Sequence, residues 1–295
     1  MATRLGKIPV RGYVLELERE YADVQKEIIG LLGEIEIDGF REMNAMVIQR
    51  RVDILIRKLN RIASGWAVKT TRSAYRDAAG KTKVALTILG ARKPKKENKQ
   101  LEQNAVNRHA GRIMDYLFRA NASIRQSINA FMYLVRKGAG AMVRIQHYDP
   151  GPEEEEAVAD IIENALKLGQ SRQVVARLIK QRIIGDIQRG QFIRVGNRNY
   201  KLSYYAEMVA RTELREAQTQ SVKDKCAEYD NDLVEVSNHG TICEECKEFE
   251  GNVYSLSGMS LIYPKLPDNF PPHPQCEHFL SPTSEEALKF REEYG

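Results

Sequence analysis

With 295 residues, 42% of them hydrophobic, the chain is long enough to bury the core of one large or two ordinary domains. No apolar run approaches the roughly 18 to 20 residues needed to cross a bilayer, and the opening MATRLGKIPV lacks the apolar centre of a signal peptide, so a cytosolic protein without a membrane partner is expected. The net charge of +5 conceals an imbalance: residues 1–150 carry 28 Lys+Arg against 15 Asp+Glu, or +13, and residues 151–295 carry 17 against 25, or −8. A basic half favours nucleic acid or an acidic protein surface through long-range attraction that salt weakens, although a lysine-rich solvated surface gives the same count.

The first half reads as helix. Leu17, Tyr21, Val24, Ile28, Leu31, Leu32 and Ile35 recur at helical spacing over residues 13–37, and Gly39 is the expected break. From Ile48, the positions Val52, Leu55, Ile56, Leu59, Ile62, Ala63 and Trp66 form one apolar stripe that must pack against a partner. A third stripe runs through Ile113, Leu117, Ile124, Ile128, Met132 and Val135 and ends near Gly138. Between the last two, residues 80–100 hold a β-branched run and then Arg92, Lys93, Lys95, Lys96 and Lys99 around Pro94, which predicts a basic loop able to touch phosphates or an acidic partner. Lysine-rich loops are also commonly no more than solvated.

The segment HYDPGPEEEE at 147–156 marks the expected boundary between a basic helical domain, 1–150, and a second domain, 151–295. A helix follows on Val158, Ile161, Ile162, Ala165 and Leu166, and a second after Gly169, capped by Ser171, on Val174, Val175, Leu178, Ile179 and Ile183. The pair can be drawn as a helix-turn-helix with Arg172, Gln173 and Arg177 facing a groove, but a packed helical hairpin has the same pattern, and that reading is preferred. Residues 191–203 suggest a β-hairpin about Gly196 and Asn197, residues 204–229 a helix with Tyr205, Met208, Val209 and Thr212 inward, and Leu233–Val236 and Val253–Leu256 two strands. The fold class expected is mainly α: a helical N-terminal bundle followed by a smaller α+β domain with a hairpin and a Cys/His-braced tail.

Four cysteines are too few for a disulfide-stapled secreted scaffold. Cys226 falls on the predicted helix, as a core or surface thiol. Cys243 and Cys246 form a Cys-x-x-Cys pair, and thirty residues on stands PPHPQCEH with His273, Cys276 and His278. Thiolates two residues apart on a turn can both reach one Zn²⁺ at about 2.3 Å, and a distant Cys/His cluster can complete the tetrahedron. That gives five donors for four places, Cys243, Cys246, Cys276 and one of His273 or His278. Free thiols beside hydrogen-bonded histidines in a proline-braced loop are the plainer reading. The sequence contains no His-Glu-x-x-His, Walker loop, Gly-x-Ser-x-Gly elbow or Gly-rich dinucleotide turn, so an enzyme is not expected and no small-molecule substrate is evident.

Ala210-Arg211-Thr212-Glu213 on a helix, a strand ending near Val236, Cys243-x-x-Cys246, Gly251, and then Pro-Pro-x-His-Pro-x-Cys resemble the C-terminal domain of tailed-phage minor head proteins of the Mu F and SPP1 head-morphogenesis type. Leu168-Gly169-Gln170-Ser171 fits as well, so the resemblance spans about residues 155–282. That family usually closes on Cys-Arg-Cys; here Cys276-Glu277-His278 stands instead, which keeps donor capacity and favours His278 over His273 as fourth ligand. Arg211 and Glu213 are expected to form a structural ion pair, with no catalytic role. The resemblance implies a minor capsid protein in the virion, inside the phage head and in few copies. It further implies assembly in the host cytoplasm, association with the portal and other head proteins, and a part in head morphogenesis or the handling of packaged DNA. A sequence-nonspecific DNA-binding protein acting through its basic half is the first alternative, and a hydrolase or toxin-related enzyme the second.

Overall fold

The computed structural model describes residues 10–33, 42–138, 193–195 and 198–294, with isolated positions at Leu168, Val174 and Leu178. The expected domain boundary at 147–156 and almost all of the two helices drawn over 158–183 lie outside the described residues, as do Ile35 and Gly39. Elements are α1 (Arg11–Gly33), α2 (Glu42–Ile88), α3 (Lys99–Gly138), β1 (Ile193–Val195), β2 (Arg198–Tyr200), α4 (Leu202–Glu228), β3 (Leu233–Val236), α5 (Glu244–Lys247), β4 (Val253–Ser255), β5 (Leu280–Pro282) and α6 (Glu285–Tyr294). The protein is mainly helical, with a small antiparallel sheet in its C-terminal region.

The chain divides into two compact units, one of residues 1–15, 64–115 and 207–295, the other of residues 16–63 and 116–206. In the second, the apolar stripes are buried as their spacing requires: Leu17, Tyr21, Val24 and Ile28 on α1, Val52, Leu55, Ile56 and Leu59 on α2, Leu117, Ile124 and Ile128 on α3. Such stripes, not intrinsic propensity, hold long helices in place. A polar pin crosses this apolar interior. Buried Asn121 donates through Nδ2 to Asn60 Oδ1 at 2.7 Å and to the Tyr21 hydroxyl at 3.3 Å, linking all three helices at one level. The same unit holds the expected hairpin, with Ile193 opposite Tyr200 and Val195 opposite Arg198.

In the other unit the later part of α2 and the start of α3 share a body with α4 and everything after it. Tyr75 donates its hydroxyl to Asp224 at 2.6 Å, and Ser221 Oγ donates to the Tyr75 carbonyl at 2.8 Å. Leu86 lies in one apolar cluster with Val222, Cys226, Tyr229, Val234, Val236, Phe249, Tyr254, Leu266, Phe270 and Leu280. Its burial explains a correction to the sequence reading: the β-branched run of residues 80–88 continues α2, and only residues 89–98 form the loop. Thr82 and Thr87 tolerate the helix by donating their hydroxyls to the Ala78 and Lys83 carbonyls. The helix stops where Gly90 takes φ +73°, a conformation that costs glycine little.

The sheet has order β4-β3-β5, all antiparallel, pairing Val234 with Tyr254 on one side and with Pro282 on the other. β5 is absent from the sequence expectation because a three-residue strand ending in proline carries almost no strand signal; on a sheet edge the missing N–H is harmless. β3 is central, so the loops that leave it and its neighbours start from a fixed frame.

Candidate metal centre

β3 delivers the chain into residues 237–243, which fold tightly upon one carboxylate. Glu250 accepts the backbone N–H of His239 at 2.9 Å and of Thr241 at 3.1 Å, and Nε2–H of His278 at 2.8 Å. Burial opposes its charge, but these donors prevail and carry its pKa down to about 2. Thr241 Oγ1 then accepts the N–H of Cys243, whose carbonyl starts the single turn of α5 by accepting from Cys246 and Lys247. The turn places both thiols of the Cys-x-x-Cys pair on one side.

The second arm is residues 271–278. Phe270 is fixed in the apolar cluster, and Gln275, at φ +63°, donates its N–H to Thr212 Oγ1 of α4 at 3.2 Å. The loop thereby brings His273 Nε2 to 2.9 Å from Cys246 Sγ and 3.4 Å from Cys243 Sγ. Cys276 Sγ lies 3.8 Å from Cys246 Sγ and 3.4 Å from His278 Nδ1. All five donors expected from sequence therefore meet, in two overlapping groups, Cys243–Cys246–His273 and Cys246–Cys276–His278.

The ring nitrogens are set by their outer partners. His273 donates from Nδ1 to the Pro274 carbonyl at 2.8 Å, so its Nε2 presents a lone pair to the thiols. His278 donates from Nε2 to Glu250, so its Nδ1 presents a lone pair to Cys276. Carbonyl and carboxylate partners of this kind orient metal-binding imidazoles. Cys246 and Cys276 are buried; burial with the crowding of neighbouring thiols pushes Cys246 up to about 12, and burial raises Cys276 above its ordinary value although the hydrogen bonds it accepts oppose the rise. A buried Cys/His group of this composition could hold a metal ion. The residues fit a thiophilic divalent ion: its charge would reverse the penalty on the thiolates, and the 3.8 Å between Cys246 and Cys276 is close to the edge of a tetrahedron with bonds of about 2.3 Å. Cys226 takes no part, being buried in the apolar cluster with its pKa raised to about 12 by burial.

Arg211 and Glu213 do not form the expected pair, because residues two apart point to different sides of a helix. Arg211 bridges Glu207 at 3.2 Å and Glu277 at 3.3 Å, linking α4 to the second arm. Glu213 turns the other way, to His109 at 2.9 Å. With Glu216 these two form a third group of donor type, but Arg112 already stands 2.9 Å from Glu216 and 3.9 Å from Glu213, so the group is an ion-pair network. Nothing in the spacing of residues 104 apart discloses it. Arg92, Lys93, Lys95, Lys96 and Lys99 are not buried; the first four stand in the 89–98 loop and Lys99 at the start of α3.

Residues 155–266 match the family model of phage minor capsid protein 2. The match bears out the resemblance to a phage minor capsid protein. No curated protein and no solved structure matches the chain. The minor capsid match includes Cys243, Cys246 and Glu250 and stops short of His273, Cys276 and His278, which join them through the geometry of the second arm. Sequence reasoning missed Glu250, and an acidic residue four beyond a Cys-x-x-Cys pair carries no signal by itself. Among the described residues no helix is long and apolar enough to cross a membrane.

Proposed function

We propose that this protein is a structural component of a tailed-phage head, of the Mu F and SPP1 morphogenesis kind, seated in the virion beside the portal after assembly in the host cytoplasm. The observation that carries the reading is the minor capsid match over residues 155–266, whose Cys-x-x-Cys pair meets a second donor arm in space. In this reading Cys243, Cys246, Cys276 and His273 hold a structural Zn²⁺, and His278 with Glu250 braces Cys276 from outside. His273 is the preferred fourth ligand because its lone-pair nitrogen faces two thiols, whereas that of His278 faces one.

Four protein ligands leave no open position for water, which makes the centre a clamp and not a catalyst. Metal binding in small zinc domains is worth roughly 10–16 kcal/mol at neutral pH, enough to make a thirty-residue connection part of one rigid module. That module would dock on other head proteins, while Arg92, Lys93, Lys95, Lys96 and Lys99 contact packaged DNA or an acidic portal surface.

The reading is tested by affinity capture of the tagged chain from infected cells. Copurification with portal and procapsid proteins is expected, together with loss of filled infectious heads when the gene is removed. Recovery of the chain only as a free species throughout infection would overturn it.

A further inference from the structure

Arg215 occupies an unusual position for its charge. It lies on α4 with 5% of its surface exposed, Nη1 donates to Gln218 Oε1 at 2.9 Å, and Nε has no hydrogen-bond partner among the described residues. Among the described residues no carboxylate stands within ion-pair distance of it, although Glu216 and Glu277 are near in sequence or space. A buried guanidinium without an opposing charge is strongly unfavourable, and arginine does not escape by losing its proton. Arg215 nevertheless shares one cleft with His273 and Cys276, lined also by Thr212, Glu216 and Pro271–Gln275.

The charge of the proposed centre supplies what is missing. Three thiolates and one neutral imidazole around a divalent ion leave one net negative charge, concentrated on sulfur and withdrawn from water. We propose that Arg215 is the counter-charge of the Cys243–Cys246–Cys276–His273 centre, so that metal loading neutralises a cation which α4 otherwise buries without an ion-pair partner among the described residues. This rests on the metal reading above and adds a linkage to it: Arg215 strengthens metal binding and, in return, the metal-free chain is destabilised by Arg215. The two effects have opposite signs, which a residue serving only to pack α4 would not produce.

The test uses the full-length chain with zinc as the probe, titrated against a chromogenic chelator, and thermal unfolding with and without excess chelator. Arg215→Met should weaken zinc binding at least tenfold, while the metal-free variant unfolds no lower than the metal-free wild type. Arg215→Lys, which keeps the charge, should recover most of the affinity. Equal zinc affinity in wild type and Arg215→Met, or a metal-free Arg215→Met that unfolds well below metal-free wild type, would overturn the assignment while leaving the metal centre standing. A wild-type chain that binds no zinc would overturn both.

Discussion

The hydroxyl of Tyr75 donates to the carboxylate of Asp224 at 2.6 Å across 149 residues of chain. Both groups are buried, and the bond, with Ser221 donating to the Tyr75 carbonyl, fastens α2 to α4 inside one unit. Burial and the adjacent carboxylate hold the Tyr75 phenol well above its ordinary pKa, so it remains a donor at any physiological pH.

Tyr75→Phe leaves Asp224, among the described residues, with only Gln220 as a side-chain donor, at 2.8 Å. The expected cost is about 1–3 kcal/mol, the penalty of a buried acceptor deprived of its main partner. Chemical denaturation of the two proteins reads it directly. An unchanged midpoint would show that the bond contributes nothing to the unit.

The two histidines differ in expected role, and paired substitutions separate them. Removing an outer partner of a metal ligand costs about 10–100-fold in affinity, so His278→Ala should fall in that range and keep full stoichiometry. His273→Ala should lose more, and His273→Cys should restore tight binding because a thiolate replaces the imidazole. The reverse order, with His278→Ala the more damaging, would make His278 the fourth ligand.

Glu250 provides the pH dependence. Its pKa is lowered to about 2, so its contribution to stability is fully present above the ordinary carboxylate value, near 4.3, and disappears as pH falls towards 2. Glu250→Gln should therefore be less stable than wild type at pH 5. The margin should shrink steadily below about pH 4.5. A margin independent of pH down to 2.5 would mean that the carboxylate charge is not what orders the 237–243 loop.

For the basic loop, reversal of Arg92, Lys93, Lys95 and Lys96 to glutamate should weaken binding to random-sequence duplex DNA. The slope of log affinity against log salt should become shallower by about 0.9 for each phosphate the loop no longer neutralises. None of the four is buried, so the unfolding midpoint should hardly move. Identical binding curves would remove this loop from any DNA-handling role.

These residues also show what a sequence discloses. Stripes such as Val52, Leu55, Ile56 and Leu59 are legible because a buried helix face repeats locally, and Leu233–Val236 is legible because its β-branched run is bounded by turn residues. The donor set is legible from the chemistry of cysteine and histidine. What stays hidden is non-local: the end of α2 is masked by β-branched residues that Leu86 and two threonine back-bonds retain in helix. The partners of Arg211 and Glu213 depend on helical phase and on residues 66 and 104 positions away. Arg215 is one of four basic residues on α4, and that no acid among the described residues pairs with it shows only when its surroundings are known.

The most direct test is elemental analysis of the full chain purified without added metal, followed by limited proteolysis before and after chelation. One equivalent of zinc per chain is predicted, with residues 243–278 protected until the chelator removes it. Negligible zinc in freshly prepared protein, together with the same protease resistance in chelator as in buffer, would contradict a metal clamp.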